Sequence, residues 1–139
     1  MSRSAFYEGG KGSIQGVAPL GTSSVSDDTE HIIGVVPKKC RVTSIRFYGQ
    51  EAPTATTLTA QVEARTLAGA SGDTITSATD IDFDDEAAAK AGVEATLTST
   101  DEDLILEEGQ LLELHIDADS ASAGPGDLLT EVEFEPLAT

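Results

Sequence analysis

Two segments near the end of the chain alternate apolar and polar residues with a period of two. They are LLELHID (111–117) and LLTEVEFE (128–135). In the first, Leu112, Leu114 and Ile116 lie on the side opposite Glu113, His115 and Asp117. In the second, Leu128, Val132 and Phe134 lie on the side opposite Leu129, Glu131, Glu133 and Glu135. Successive side chains of a β-strand point to opposite faces, whereas a helix repeats every three to four residues. The pattern therefore predicts strands with one buried and one solvent-facing side, which is typical of an antiparallel sheet.

Turn residues separate further short segments of the same kind, and these predict an all-β fold. The only helical candidate is 85–91 (DEAAAKA), which has acids in its first turn, Lys90 in its last turn and Gly92 after it. Eight strands without the Cys–Trp–Cys spacing of antibody domains favour a jelly-roll-like antiparallel β-sandwich over an immunoglobulin sandwich. The predicted strands are 31–36, 41–49, 56–66, 74–83, 93–99, 104–107, 111–117 and 128–135.

The first thirty residues differ in composition from the rest. They are rich in Gly and Ser and contain only isolated apolar residues. Such a segment cannot build a core by itself, so we expect an extended N-terminal arm (1–30) followed by the β-sandwich domain (31–139). Phe6, Tyr7 and Ile14 are the expected anchors of this arm on a partner chain, and the alternative is an N-terminus without a partner.

Charge limits the classes of partner. The chain has 25 acidic and 8 basic residues, a net charge of -17. Binding to nucleic acid or to an anionic membrane needs clustered Lys and Arg, so neither partner is expected. The basic cluster Lys38, Lys39 and Arg41 is a second candidate for a partner contact, with simple solvation of a loop as the alternative. No apolar run is long enough for a signal peptide or a membrane span, and we expect a soluble protein.

Some residue types are absent or rare in this acidic chain. The chain contains neither Asn nor Trp and only four lysines. Molar salt shortens the Debye length to about 3 Å and so suppresses the repulsion among excess negative charges. This composition indicates a halophilic source, and the alternative is an ordinary acidic surface that keeps the protein in solution.

Few residues offer catalytic or ligand chemistry. Asp84, Asp85 and Glu86 could bind Ca²⁺ or Mg²⁺ together with a loop carbonyl, although a solvated acidic face is the simpler interpretation. His31 and His115 have no second His or Cys at metal-ligand spacing, so no zinc site is expected, and His115 is interpreted as a surface residue. Nucleophile and phosphate-loop motifs are absent, and Cys40 is interpreted as a small half-buried residue. We therefore expect no cofactor and no enzyme activity.

The order of the strand motifs resembles that of a family of small β-sandwich virion proteins of tailed viruses, the capsid decoration, head-fibre and minor structural proteins. The resemblance covers about 37–136. It depends on a Val-Thr strand, a Thr-rich strand, a third strand, an L-x-L-x-x-G-x-x-L step and a Pro-Gly turn before a final V-E-F strand. In this chain these motifs are CRVTSIRFYG, TTLTAQVEART, DTITSATDIDF, LILEEGQLLEL and GPGDLLTEVEFEP.

The resemblance implies a function in a virus particle. A family member of this kind decorates the outer surface of a tailed-virus head, binds the major capsid protein or other virion proteins, and stabilises the lattice, commonly as a trimer or another symmetric oligomer. The implied location is the virion, after assembly in the host cytoplasm. The alternative function is a receptor-binding or carbohydrate-binding module of a fibre or tail, although a chain without Trp offers few rings for sugar stacking.

Overall fold

The computed structural model describes residues 3–8, 11–22, 29–53, 57–118 and 124–137, with the backbone alone for 3–8. Nearly all regular structure in these ranges is β-strand. One short helix, α1 (Glu86–Ala91), and one 3₁₀ turn (Asp101–Leu104) complete it. The strands are β1 (Arg3–Glu8), β2 (Lys11–Gly21), β3 (Thr29–Val35), β4 (Cys40–Gly49), β5 (Leu58–Ala64), β6 (Thr79–Asp80), β7 (Val93–Glu94), β8 (Ile105–Leu106), β9 (Leu111–Ala118) and β10 (Gly126–Pro136).

Two antiparallel sheets form a sandwich. The first sheet has the order β1-β2-β10-β4-β7, with β8 also paired to β4, and the second has the order β3-β9-β5-β6. The chain crosses between the sheets as it goes from β2 to β3 and from β3 to β4. The orders β2-β10-β4-β7 and β3-β9-β5-β6 are those in which the eight strands of a jelly roll pair. The predicted fold class is therefore confirmed.

The core lies between the inner faces of the two sheets. In β9 and β10 the inward-facing apolar residues of the period-two pattern are buried, as the sequence predicts. Phe47 and Phe134 of the first sheet are almost fully buried, as are Leu58 and Leu114 of the second. Apolar side chains from both sheets thus remove one another from water, which is the main force holding a sandwich together.

The described part of the N-terminal segment differs from the expected arm. Strand β2 lies inside the first sheet between β1 and β10, and Ile14 is the register partner of Val132. Ile14 is only 2% exposed, so it packs in the core of its own chain. The Gly content reflects close packing here, because a Cβ on Gly16 would stand 2.5 Å from the carbonyl oxygen of Ile33. The side chains of Phe6 and Tyr7 lie outside the described residues.

The acidic middle of the chain is less regular than predicted. The predicted strand 74–83 is reduced to isolated bridges at Thr74 and Thr76 and to the two residues of β6. The predicted strand 93–99 is reduced to β7 and a bridge at Leu97. The predicted helix is confirmed: Asp85 caps its N-terminus and Gly92, at φ 83°, ends it.

Candidate functional site

The outer face of the second sheet brings ionisable side chains from three strands together. The register places His115 of β9 between Glu30 of β3 and Gln61 of β5. One row further along, Glu113 of β9 lies opposite Glu63 of β5. Paired residues of adjacent strands point to the same face, so these side chains share one surface. We call Glu30, Glu63, Arg65, Glu113 and His115 the second-sheet cluster.

The second-sheet cluster is held together by short polar contacts. The Nε atom of Arg65 donates a 2.6 Å hydrogen bond to Oε1 of Glu113, and an Nη atom lies 3.4 Å from Oε2 of Glu30. Glu113 is a buried residue although it lies on the outward face of β9. Arg65 is therefore the main charge partner of a carboxylate that is largely shielded from water, and the contact raises the pKa of Arg65.

His115 lies among carboxylates on both edges of its ring. Its Nδ1 is 3.9 Å from Oε1 of Glu30, and its Nε2 is 3.4 Å from Oε2 of Glu63 and 3.5 Å from Oε1 of Glu113. Nε2 is buried and has no hydrogen-bond partner within the described ranges. Among those residues, Glu30, Glu113 and His115 are the set whose ligand atoms could hold a metal ion, with one atom of each within 4.8 Å of the others.

A cleft of about 480 Å³ opens beside this cluster. Glu30 and His115 form part of its wall, and Thr59, Gln61 and Asp117 supply further polar groups. A small polar molecule or a hydrated ion could therefore reach the imidazole from the cleft.

Apolar side chains border the same face. The large apolar residues that are exposed among those described are Ile32, Val35 and Leu67, at 44%, 40% and 66%. The register shifts between Ile32 and Gly34, so both Ile32 and Val35 lie on the outer side, opposite Glu113 and Leu111. Leu67 follows the end of β5 and lies near Gly109, in the turn before β9. We call Ile32, Val35 and Leu67 the apolar strip.

The acidic residues that the sequence suggested as a Ca²⁺ or Mg²⁺ site have other contacts. Asp85 accepts a 2.8 Å hydrogen bond from the backbone N–H of Ala88 at the start of α1. Glu86 forms an ion pair with Lys90 one turn along the helix. Asp84 borders a shallow hollow with Asp80 and Asp82. Within the described ranges, the residues whose ligand atoms lie close enough to hold an ion are Glu30, Glu113 and His115 of the second-sheet cluster.

The basic cluster suggested as a partner contact is largely neutralised within the chain. Lys39 lies 3.6 Å from Glu107, and Arg41 forms an ion pair with Asp101. Hydrogen bonding to Asp101 raises the pKa of Arg41. Lys38 also has an interaction partner. Lys39 and Arg41 therefore face acids of their own chain, which reduces the net positive potential that they offer to a partner.

The two remaining candidates for chemistry are shielded. Burial lowers the pKa of His31, whose position on β3 is opposite the buried Leu114. Burial raises the pKa of Cys40 to about 11, and the thiol is free and fully buried. Neither group meets the requirement of a reactive residue, which is an exposed and electropositive setting.

The period-two pattern in the sequence predicts part of the second-sheet cluster. It places Glu113 and His115 on one side of β9 and Glu63 on one side of β5, with Arg65 just beyond the end of that strand. It does not reveal that β3 and β5 flank β9, and only this order brings the acids to the imidazole.

Comparison with known proteins identifies no relative: no protein-family model, no curated protein and no solved structure matches the chain. Within the described residues, no helix is long and apolar enough to cross a membrane.

Proposed function

We propose that the chain is a structural virion protein that decorates the outer surface of a tailed-virus head and stabilises its lattice. The observation that supports this function best is the apolar strip. Ile32 and Val35 are exposed on the outer face of the second sheet and Leu67 is exposed beyond the end of β5, whereas the other large apolar residues of the described ranges are at least partly buried. Exposed apolar side chains grouped on one face commonly mark a protein contact surface. The strand-order motifs that resemble small virion β-sandwich proteins support the same proposal.

The proposed partner is the major capsid protein or another virion protein. The apolar strip would supply the buried centre of the contact, and the charged groups beside it would form the polar rim. A single strip of this size gives a weak contact. Many copies on a symmetric lattice, each as a trimer or another closed oligomer, would add these contacts into stable attachment. Ile14 has no part in this proposal because it packs in the core of its own chain. Lys39 and Arg41 pair with acids of their own chain, so the proposal does not depend on them.

The first experiment uses purified particles of the virus that encodes the chain. Quantitative mass spectrometry should find the chain in a fixed ratio to the major capsid protein, and a cryo-EM map should place it on the head. Particles that contain none of the chain would contradict the proposal.

The second experiment tests the apolar strip directly. Particles stripped of the chain should bind added wild-type protein and regain resistance to heat. The variant Ile32→Ser/Leu67→Ser should bind at least about tenfold more weakly, because truncation of buried anchors costs more than about 1.4 kcal/mol. Glu133→Ser, on the outer face of the first sheet, is the matched control and should bind like the wild type. Equal binding by all three proteins would exclude the apolar strip as the contact.

A carbohydrate-binding module of a fibre or tail is the second candidate, and the polar cleft favours it. Thr59, Gln61 and Asp117 offer hydroxyl, amide and carboxylate groups that suit sugar hydroxyls. The residues that line the cleft include no Phe, Tyr or Trp ring on which a sugar could stack. A glycan array with strong signals that Gln61→Ala abolishes would favour this function over decoration.

A further inference from the structure

The strongest unexplained feature of the molecule is a pair of opposed carboxylates on a sheet face. Glu63 and Glu113 are direct register partners on β5 and β9, and their side chains are only 16% and 11% exposed. Like charges directly across two strands destabilise a sheet, and shielding from water increases the repulsion. A nearby cation would offset this repulsion.

Arg65 supplies only part of the compensating charge. Glu30, Glu63 and Glu113 carry three negative charges when ionised, and Arg65 carries one positive charge, which leaves two negative charges around a neutral His115. A divalent ion would balance this excess. Within the described residues, Arg65 is the cationic side chain with defined contacts to Glu30 and Glu113.

The orphaned imidazole nitrogen favours a metal ion. Nε2 of His115 is buried and has no hydrogen-bond partner in the described part of the chain, although carboxylate oxygens lie 3.4 and 3.5 Å away. These distances exceed those of good charge-assisted hydrogen bonds, which are about 2.7–2.9 Å. They approach the separation of about 3.3 Å between two ligands of a tetrahedral zinc ion with bonds of about 2.0 Å.

We propose that Glu30, Glu113 and His115 bind a divalent ion of the zinc type on the outer face of the second sheet. One ligand atom of each already lies within 4.8 Å of the others. The Glu30 side chain is half exposed and can rotate to close the site. Glu63, 3.4 Å from the imidazole, is a further carboxylate beside the site. The site stands apart from the virion role and holds whether or not that role is correct.

The surroundings match those of a metal site with one open position. Arg65 donates to Glu113 and would orient that ligand from outside, as outer hydrogen bonds commonly do. The cleft beside Glu30 and His115 gives an entry path and room for a water ligand. An imidazole ligand selects Zn²⁺ and similar ions over Ca²⁺ and Mg²⁺, which take oxygen ligands.

The test is calorimetric titration of chelator-treated full-length protein with zinc chloride in a buffer that does not bind metal. The wild type should bind one ion per chain. Glu113→Gln and His115→Gln should each weaken binding at least about tenfold, because the loss of a ligand exceeds the tenfold effect typical of an outer partner. Calcium chloride should give no heat at the same concentrations. Cobalt in place of zinc should give the visible absorption of a four-coordinate site.

Two controls separate this site from adventitious binding. His31→Gln removes the other histidine of the chain, and Asp84→Asn/Glu86→Gln removes the acids near α1. Both proteins should bind zinc like the wild type. Equal losses in His31→Gln and His115→Gln, or a loss in the Asp84/Glu86 variant, would overturn the assignment.

One readout needs no variant and so does not depend on how a substitution affects folding. In ¹⁵N-labelled wild-type protein, zinc should shift one ring nitrogen of His115 and leave the ring of His31 unchanged. The absence of both heat and a His115 shift would show that the second-sheet cluster is an ion-pair network only, and the proposal would then fail.

Discussion

Strands β9 and β10 show the same alternating pattern in sequence but lie in different electrostatic settings. On the outer face of the first sheet, Glu131 of β10 accepts a 2.8 Å hydrogen bond from Gln15 and is paired in register with Arg46. On the outer face of the second sheet, Glu113 of β9 faces Glu63 on one side and Ile32 on the other. The glutamates of β10 thus have neutral or basic neighbours, whereas that of β9 has an acid and an apolar residue.

This difference shows that period-two alternation defines which side of a strand faces outward. It does not define how far the side chains on that side are exposed to solvent. Glu133 and Glu135 are exposed, while Glu113 is buried on an equally outward side. The difference in exposure arises from the residues on the paired strands. Next to β9, these residues cover the carboxylate of Glu113. The face of β10 is therefore a solvated surface, and the face of β9 is a candidate site.

The inner faces should be equivalent, and truncation of their core residues gives the largest expected effect. Phe134→Ala in β10 should lower the free energy of unfolding by about 3–5 kcal/mol, and Leu114→Ala in β9 by about 2–5 kcal/mol, because both side chains are almost fully buried. Urea unfolding monitored by circular dichroism measures both. Glu133→Ala is the surface control and should change stability by less than about 0.5 kcal/mol. A small loss for either core variant would contradict the shared core.

The outer faces should differ in how much they depend on arginine. Arg65 has contacts at 2.6 and 3.4 Å with two acids of the second-sheet cluster. Arg46 lies 4.0 Å from the exposed Glu94 and over the ring of Tyr48. Arg65→Met should therefore lower the melting temperature more than Arg46→Met, because it leaves a shielded carboxylate without its cation.

Double-mutant cycles isolate these two ion pairs. The coupling between Arg65→Met and Glu113→Gln should exceed that between Arg46→Met and Glu94→Gln, measured with chelator present so that no metal contributes. Equal couplings would mean that the two outer faces are electrostatically alike, and the comparison between them would fail.

The sequence predicts far more of the fold than of the candidate site. Alternation alone predicts β5, β9 and β10, because each of them buries one complete side. In β4 the buried positions change from even to odd numbers between Val42 and Ile45. Alternation misses β2, where Gly16 occupies an inward position and leaves a weak apolar pattern. The second-sheet cluster is missed for a different reason: Glu30 and His115 meet only because β3 pairs with β9, and strand order depends on the whole sandwich.

Salt should act mainly on the solvated surface. With a net charge of -17, the native chain repels itself in dilute buffer, and molar salt with a Debye length of about 3 Å removes most of that repulsion. The melting temperature should therefore rise as sodium chloride increases from about 0.1 M to about 3 M. Glu133→Gln/Glu135→Gln should reduce the slope, since both residues are exposed. A flat or falling melting temperature in the wild type would exclude the halophilic interpretation.

The burial of Cys40 on the inward side of the first sheet should keep its thiol unreactive. Of the predicted effects on stability, this one is the smallest near pH 7. Cys40 begins β4, opposite Pro136 of β10, and burial raises its pKa from 9.0 to about 11. Between these values the native state keeps a proton that the unfolded state has lost, so stability should fall as pH rises above about 9 and should be unaffected near pH 7. The variant Cys40→Ala should lose this alkaline sensitivity.

Alkylation measures the same property directly, since the thiolate is the reactive form. Iodoacetamide at pH 8 should label Cys40 slowly in native protein and rapidly in urea, and the native rate should increase towards pH 11. Rapid labelling of the native protein at pH 8 would show that β4 separates readily from β8 and β10 at Cys40. The inner side of that sheet would then not be shielded from solvent as the comparison with its outer side requires.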